Sequence, residues 1–91
     1  MRLYIAGETD RTRNALRNLE DICDEYPKDR CEIEVIDVRK RPELAVKKRL
    51  YAIPTLIKEL PLPVRRLIGD LHEREKVLLG LDLSLRKKKV Y

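Results

Sequence analysis

The sequence of 91 residues is long enough for one small domain with a single core, and too short to add a separate substrate-binding domain. Hydrophobic residues make up 43% and charged residues 41% of the chain, which argues against disorder over most of its length. The formal charge is +5, but residues 86–89 supply four of the positive charges, so residues 1–85 hold 17 basic and 16 acidic groups and lack a broad basic face for nucleic acid. We therefore predict one domain over residues 1–85 and a basic tail over residues 86–91.

The first part of the chain predicts a βαβ unit. Residues 3–6 form a short apolar run that Gly7 ends, which indicates a buried strand. Thr9 or Asp10 can cap the following helix, whose apolar stripe extends to Tyr26 and stops at Pro27. Residues 31–38 alternate apolar and acidic side chains and then become nearly continuously apolar, which indicates a second strand. We expect the two strands to be parallel, with a right-handed crossover.

The middle of the chain predicts a helix followed by a hairpin. Pro42 and Glu43 suit a helix start, and a helix over residues 42–51 would end before Pro54. Residues 55–60 and 64–69 then flank a turn of two prolines with a leucine between them. This arrangement predicts two antiparallel strands.

The last segment is compatible with two structures. Asp70 followed by Glu73 fits a helix cap, which predicts a helix over residues 71–83. Residues 77–83 also fit a strand, since Gly80 disfavours a helix by about 1 kcal/mol relative to alanine. Local propensity leaves both structures open.

This order of elements is that of the thioredoxin-like fold, but the redox residues of that fold are missing. Its redox members place a low-pKa cysteine at the start of the first helix, where residues 7–10 of this chain are Gly-Glu-Thr-Asp. Cys23 and Cys31 lack the C-x-x-C spacing of a redox or zinc site, so we predict two reduced, structural thiols. His72, the sole histidine, is predicted to lie on the surface. We assign no catalytic residue, metal ligand or cofactor.

The sequence predicts neither a membrane segment nor a specific nucleic-acid site. No run approaches the roughly 20 apolar residues that span a bilayer, and Arg2 leads into a strand-like segment rather than a signal peptide. We therefore expect a cytoplasmic protein. The basic tail carries no aromatic platform on which bases would stack, so we expect no specific nucleic-acid partner.

Several segments resemble the KaiB circadian clock protein family. The resemblance starts at Leu3-Tyr4-Ile5-Ala6-Gly7, includes residues 35–38 and 53–56, and extends to residue 83. Its most specific part is the block over residues 60–71, which reads LPLPVRRLIGDL.

The resemblance implies an α/β protein that can change its fold. KaiB-family proteins have a tetrameric ground state with the order βαββααβ and a monomeric thioredoxin-like state with the order βαβαββα. The two structures that fit the last segment of this chain agree with such a pair of states. Because residues 42–51 and 71–83 both have good helix starts, we predict that the thioredoxin-like state is readily populated.

The resemblance also implies a function without catalysis. In the family, the thioredoxin-like state binds the KaiC ATPase ring, sequesters KaiA and competes with the sensor histidine kinase, which controls KaiC phosphorylation and output. The alternative is a KaiB-like partner of a KaiC-like ATPase in two-component or stress signalling, without a full clock. Genomic neighbours would separate the two possibilities.

Two groups of residues carry this implied function. The residues that match the family's fold-switching region, including the cis-proline position of thioredoxin-like folds, are Pro54, Pro61, Pro63, Gly80 and Asp82. The partner-binding candidates are Asn14, which aligns with a partner-facing arginine of the family's first helix, the adjacent Arg13, and the residues that match a basic surface, namely Lys58, Arg65 and Arg66. For the last three, which are expected to form a basic surface, the alternative is a role in solubility alone.

Overall fold

The computed structural model describes residues 1–26, 31–60 and 62–81. Its elements are β1 (Arg2–Ile5), α1 (Asp10–Cys23), β2 (Glu34–Asp37), α2 (Glu43–Lys47), β3 (Thr55–Lys58), β4 (Arg65–Ile68) and α3 (Arg74–Leu81). This is the predicted βαβαββα order of the thioredoxin-like state. The predicted basic tail lies outside the described residues.

The four strands form one sheet in the order β2-β1-β3-β4. The predicted parallel pairing of β1 with β2 is confirmed, with Leu3 opposite Val35. The predicted antiparallel pairing of β3 with β4 is also confirmed, with Leu56 opposite Leu67. Strand β1 additionally pairs antiparallel with β3, so β1 and β3 occupy the interior of the sheet and β4 lies at one edge.

Alternating side chains divide the core between the two faces of the sheet. On one face, Leu3, Ile5 and Leu56 belong to a cluster that α1 and α3 complete, with Ala15, Leu19, Ile22, Val77 and Leu81 among its buried members. On the other face, Tyr4 and Ile57 pack with Val38 and with Leu44 of α2. Helices α1 and α3 therefore cover one face, and α2 covers the other.

The helix ends differ from the predicted ones because of local backbone geometry. Helix α1 starts as predicted, since the Thr9 side chain accepts a hydrogen bond from the Thr12 amide at 3.1 Å. Helix α2 ends at Lys47 instead of residue 51, and Arg49 takes a left-handed φ of 52°. Helix α3 begins at Arg74 instead of residue 71, where Leu71 has a φ of 62°. Residues 77–81 are helical, so the alternative strand is not adopted there, while residues 82 and 83 lie outside the described residues.

The prediction of two reduced cysteines is wrong, because Cys23 and Cys31 form a disulfide. Helix α1 ends at Cys23, and Cys31 lies shortly before β2, which pairs with β1. The two Cα atoms are 5.3 Å apart, a separation within the usual range for a disulfide. The absent C-x-x-C spacing excludes a thioredoxin-type motif, but it does not exclude a bond that tertiary structure creates.

Candidate partner-binding surface

The predicted basic residues of the hairpin do not form one continuous surface. Arg65 and Arg66 are exposed on the edge strand β4, as predicted. Arg66 lies opposite Ile57 and therefore on the face that α2 covers, whereas Arg65 lies opposite Lys58 on the other face. The two arginines thus project to opposite sides of the sheet edge.

The expected surface position of Lys58 is wrong for this fold. Its exposed fraction is 0%, because β3 lies between β1 and β4 and all four of its residues are buried. A lysine in an interior strand cannot present its ammonium group to a partner without leaving the core. Its predicted role in partner binding therefore has no support from its position in this state.

Arg66 connects β4 to the end of α2. Its guanidinium donates one hydrogen bond to the Arg49 carbonyl oxygen at 3.0 Å and another to the Lys48 carbonyl oxygen. Lys48 is the C-cap of α2 and Arg49 follows it. Because the last carbonyls of a helix have no partner within the helix, a cation that binds the Lys48 carbonyl stabilises the helix end. This contact matters for α2 because that helix contains only five residues.

Exposed apolar side chains surround the same hairpin. Leu60, Leu62 and Val64 lie in the connection between β3 and β4 and are 74%, 70% and 52% exposed. On the α2 side, an open cavity of about 440 Å³ lies beside them. Its lining residues are Lys48, Ile57, Glu59, Leu60, Val64 and Arg66. We call Lys48, Leu60, Leu62, Val64, Arg65 and Arg66 the hairpin surface. It includes both sides of the edge strand β4, with Arg66 on the α2 side and Arg65 on the opposite side.

The predicted fold-switching residues take different positions. Pro54 is buried, its peptide bond with Ile53 is cis, and its carbonyl oxygen accepts the Gly69 amide at 3.1 Å. Pro63 is exposed and also follows a cis peptide bond. Gly80 lies in α3 against Leu67 of β4. Pro61 and Asp82 lie outside the described residues.

The family model for the KaiB domain matches residues 2–83. The chain belongs to the KaiB family. It is similar to the circadian clock oscillator protein KaiB of Synechococcus elongatus, with 51% identity over 91% of this chain and 81% of that protein. The KaiB of Prochlorococcus marinus subsp. pastoris is also 51% identical, over 91% of this chain and 78% of the relative. The circadian clock protein KaiB3 of Synechocystis is 46% identical over 91% and 81% of the two chains. These relatives support a clock role.

The two predicted partner residues of α1 lie on the helix surface of this KaiB-family chain. Arg13 forms an ion pair with Asp10 one turn earlier, and Asn14 is exposed. Helix α1 covers the face of the sheet opposite to α2, so these residues lie on the other face from Arg66. Arg65 lies on the same face of the sheet as α1, so only Arg66 is separated from the α1 residues, and a partner that contacts both α1 and Arg66 must reach around the sheet edge.

Sequence reasoning missed an ion pair that fixes the end of β2. The Arg39 side chain donates to both carboxylate oxygens of Asp37, and its Nη2 lies 2.8 Å from Oδ2. These hydrogen bonds lower the pKa of Asp37 to about 2. The guanidinium also lies against Gly7, where an added Cβ would stand 2.8 Å from Arg39 Cζ. With its φ of 71°, Gly7 therefore needs to remain glycine. The only signal in the sequence is the acid-x-arginine spacing after a strand.

A second missed contact lies between β4 and α3. His72 Nδ1 is 2.5 Å from the Asp70 carboxylate, and the Asp70 backbone carbonyl accepts a hydrogen bond from the Asn18 amide group at 2.8 Å. The carboxylate raises the pKa of His72 above its ordinary value. The loop that sets the direction of α3 is thereby joined to α1. The predicted surface position of His72 is confirmed.

The described residues contain neither a membrane-spanning helix nor a cluster of metal ligands. No helix among them is long and apolar enough to cross a membrane. No group of three or more His, Cys, Asp or Glu side chains in the described ranges is arranged to hold a metal ion.

Proposed function

We propose that this KaiB-family protein is a non-catalytic, cytoplasmic clock component that binds the KaiC ATPase ring in the thioredoxin-like state. In the same proposal it sequesters KaiA and competes with the sensor histidine kinase. The observation that carries the proposal is the helix α3 over Arg74–Leu81, which follows the β3–β4 hairpin. In the family that this chain resembles, this order of elements is the one that binds KaiC.

A binding role agrees with the residues at the start of α1. Glu8, Thr9 and Asp10 occupy the position where redox proteins of this fold need a thiolate. The Thr9 side chain is used to cap the helix. These residues are suited to stabilising the helix rather than to disulfide exchange, so the fold serves as a scaffold for its surfaces.

The hairpin surface is the part of the scaffold that we propose contacts KaiC. It combines exposed leucine and valine side chains with the cationic side chains of Lys48 and Arg66 on the α2 side and of Arg65 on the other side of β4. Interfaces with high affinity usually contain apolar anchors and arginine surrounded by a polar rim. A complementary partner surface would offer carboxylates next to an apolar pocket.

Binding through one fold state also explains how a partner would control the protein. A ligand that contacts only the thioredoxin-like state raises the population of that state by mass action. In the proposal, KaiC shifts a monomer–tetramer equilibrium toward the monomeric, thioredoxin-like state. The loss of tetramer on addition of KaiC would be visible in the sedimentation of labelled protein.

The direct experiment is a binding titration of the full chain with KaiC and nucleotide, using phosphorylated and unphosphorylated rings. We expect a stable complex, and we expect Arg65→Glu to weaken it by at least about tenfold, since charge reversal within an interface costs more than about 1.4 kcal/mol. Lys76→Glu is the matched control, because Lys76 is an exposed residue of α3 outside the hairpin surface.

The outcomes separate the interface from the function. Equal weakening by both charge reversals would reject the hairpin surface and leave KaiC binding in place. No complex with either ring would reject the clock proposal. Binding to a different KaiC-like ATPase would then favour the signalling alternative.

A further inference from the structure

The disulfide joins the C-terminal end of α1 to the chain that enters β2. Cys23 is the last residue of α1, and Cys31 lies shortly before β2 begins at Glu34. The two cysteines are separated by eight positions in the sequence. Cys31 is 9% exposed and belongs to the core cluster that α1 covers, and Cys23 packs against that cluster. The bond therefore closes a short loop at the edge of the core.

The helix end that the bond holds is electrostatically unfavourable. Glu20, Asp21 and Asp24 lie at the C-terminal end of α1, and the last turn contains no basic residue. Carboxylates at this position repel the negative end of the helix dipole. An ion pair between Glu25 and Arg74 gives the end a second connection, to α3. The disulfide thus opposes a tendency of the last turn to open.

Solvent reaches the bond through an open cavity of about 640 Å³. Both cysteines line this cavity together with four acidic residues and one isoleucine, namely Glu20, Asp21, Asp24, Glu32 and Ile33. The described lining residues include no lysine or arginine. In the sequence, Lys28 and Arg30 lie between the two cysteines, but residues 20–32 together contain six acidic and two basic side chains, so the net charge around the bond is negative. The negative potential of such an opening lowers the local concentration of anionic reagents and raises that of cationic ones.

We propose that the Cys23–Cys31 bond is a redox-responsive tether of α1, opened by thiols and reformed by disulfide oxidants, and that its acidic surroundings favour cationic over anionic thiols. A reductant thiolate attacks one sulfur, forms a mixed disulfide and releases the other cysteine as a thiolate, which takes a proton from solvent. A second reductant thiol then displaces the first cysteine. The reductant leaves as its own disulfide, and the protein gains two electrons and two protons. This inference does not depend on the proposed clock function.

The charge selectivity is tested by measuring how fast full-length protein loses the disulfide in cationic cysteamine and in anionic 2-mercaptoethanesulfonate. Each rate is divided by the thiolate concentration, which corrects for the different pKa values of the two thiols. It is also divided by the rate of the same thiol with a neutral small disulfide, which corrects for intrinsic reactivity. At about 10 mM ionic strength we expect cysteamine to react at least about fivefold faster, and at about 1 M we expect the ratio to fall toward one. Equal corrected rates at low ionic strength would overturn the selectivity.

A pair of variants locates the source of the selectivity. Replacing Asp21 and Asp24 by asparagine should reduce the ratio of the two rates. Asp10→Asn removes an acid at the opposite end of the same helix and should leave the ratio unchanged. A ratio that responds equally to both changes would mean that overall charge, and not the cavity, controls the reaction.

The tether itself is tested by hydrogen exchange of the amides that close α1. The amides of Glu25 and Tyr26 donate to the carbonyls of Ile22 and Cys23 at 3.2 and 3.0 Å. In wild-type protein treated with dithiothreitol we expect these amides to exchange at least about tenfold faster, with recovery after oxidised glutathione is added. The amide of Leu3 in β1 serves as an internal control and should change less.

The same samples provide the results that would overturn the tether. Unchanged exchange at residues 24–26 on reduction would show that the bond does not hold the helix end. Two free thiols by mass spectrometry, in protein purified without reductant and exposed to oxidised glutathione, would show that the bond does not form. The Cys31→Ser variant should reproduce the reduced state, and reduced wild-type protein gives the same comparison without a substitution.

Discussion

Replacing Gly80 by alanine should change the stability of the fold by an amount that Leu67 controls. Gly80 lies in α3, and an added Cβ would stand 2.5 Å from Leu67 Cδ2 of β4. The other near atoms, Leu67 Cγ and Cδ1, would be at 3.5 and 3.6 Å. The close atom is the end of a flexible, partly buried side chain, so a change of the Leu67 rotamer can relieve the contact.

Two opposing effects determine the size of the change. Alanine stabilises the interior of a helix by about 1 kcal/mol relative to glycine. Moving Leu67 to a strained rotamer costs roughly 0.5–1.5 kcal/mol. The net effect of Gly80→Ala on the free energy of unfolding should therefore lie within about 0.5 kcal/mol of zero. In a Leu67→Ala background the contact is absent, and the full gain of about 1 kcal/mol should appear.

Urea denaturation of the four proteins, followed by circular dichroism at low protein concentration, gives the coupling energy directly. We expect about 0.5–1.5 kcal/mol between positions 67 and 80. The control is the difference between Leu79→Ala and Leu79→Gly, which measures the glycine penalty at a side chain that is 80% exposed in the same helix. If Gly80→Ala has the same effect in both backgrounds, α3 does not pack on Leu67 as described.

Further predictions concern Arg66 and His72. Arg66→Met should lower the free energy of unfolding by about 1 kcal/mol and speed amide exchange near Lys48 and Arg49, because it removes two hydrogen bonds just after α2. Arg66→Lys should restore only part of the loss. Unchanged exchange there would contradict the capping role. The raised pKa of His72 means that its contact with Asp70 contributes fully below the ordinary histidine pKa of 6.5 and is lost as pH rises through the raised value. The lowered pKa of Asp70 means that its part of the contribution is full above the ordinary value of 3.8 and is lost as pH falls through the lowered pKa. The stability difference between wild type and His72→Gln should therefore be larger at about pH 5.5 than at about pH 9, and a difference independent of pH would refute the contact.

Most helices and strands could be predicted from the sequence, because local patterns of apolar and polar residues determine them. Three patterns indicated their elements without knowledge of the tertiary partner, because each shows directly which side chains are buried. They are the apolar run of β1, the apolar stripe of α1 and the alternation in β2. The βαβ handedness and the two proline-bounded strands then leave few arrangements of the sheet. The order of elements and the β1–β2 and β3–β4 pairings therefore followed from the sequence and the family resemblance, whereas the β1–β3 pairing was not predicted.

Tertiary contacts determined the features that the sequence did not predict. Lys58 was expected at the surface, but β3 became an interior strand and buried it. The ends of α2 and α3 moved because Arg49 and Leu71 adopt left-handed backbone angles that these residue types do not signal. The disulfide depends on how the end of α1 lies beside the residues before β2, and the spacing of the two cysteines in the sequence does not indicate that proximity.

The candidate site was predicted as a set of residue types and not as a surface. Arg65 and Arg66 were correctly expected to be exposed, but strand alternation sends them to opposite faces. The capping contact of Arg66 depends on where α2 ends, so it could not be foreseen from a basic pair in the sequence. The exposed leucines around Pro63 could not be recognised as part of a surface from the sequence, because the neighbouring cavity forms only where the hairpin lies beside Lys48.

We propose that the thioredoxin-like arrangement is the state that binds KaiC. The most direct measurement is the carbonyl carbon chemical shifts of Val77, Leu79 and Leu81 in selectively labelled protein, free and saturated with KaiC. We predict helical shifts for all three residues in the complex, because they lie in α3 in the thioredoxin-like state. Strand-like shifts at these residues in the bound protein would contradict it.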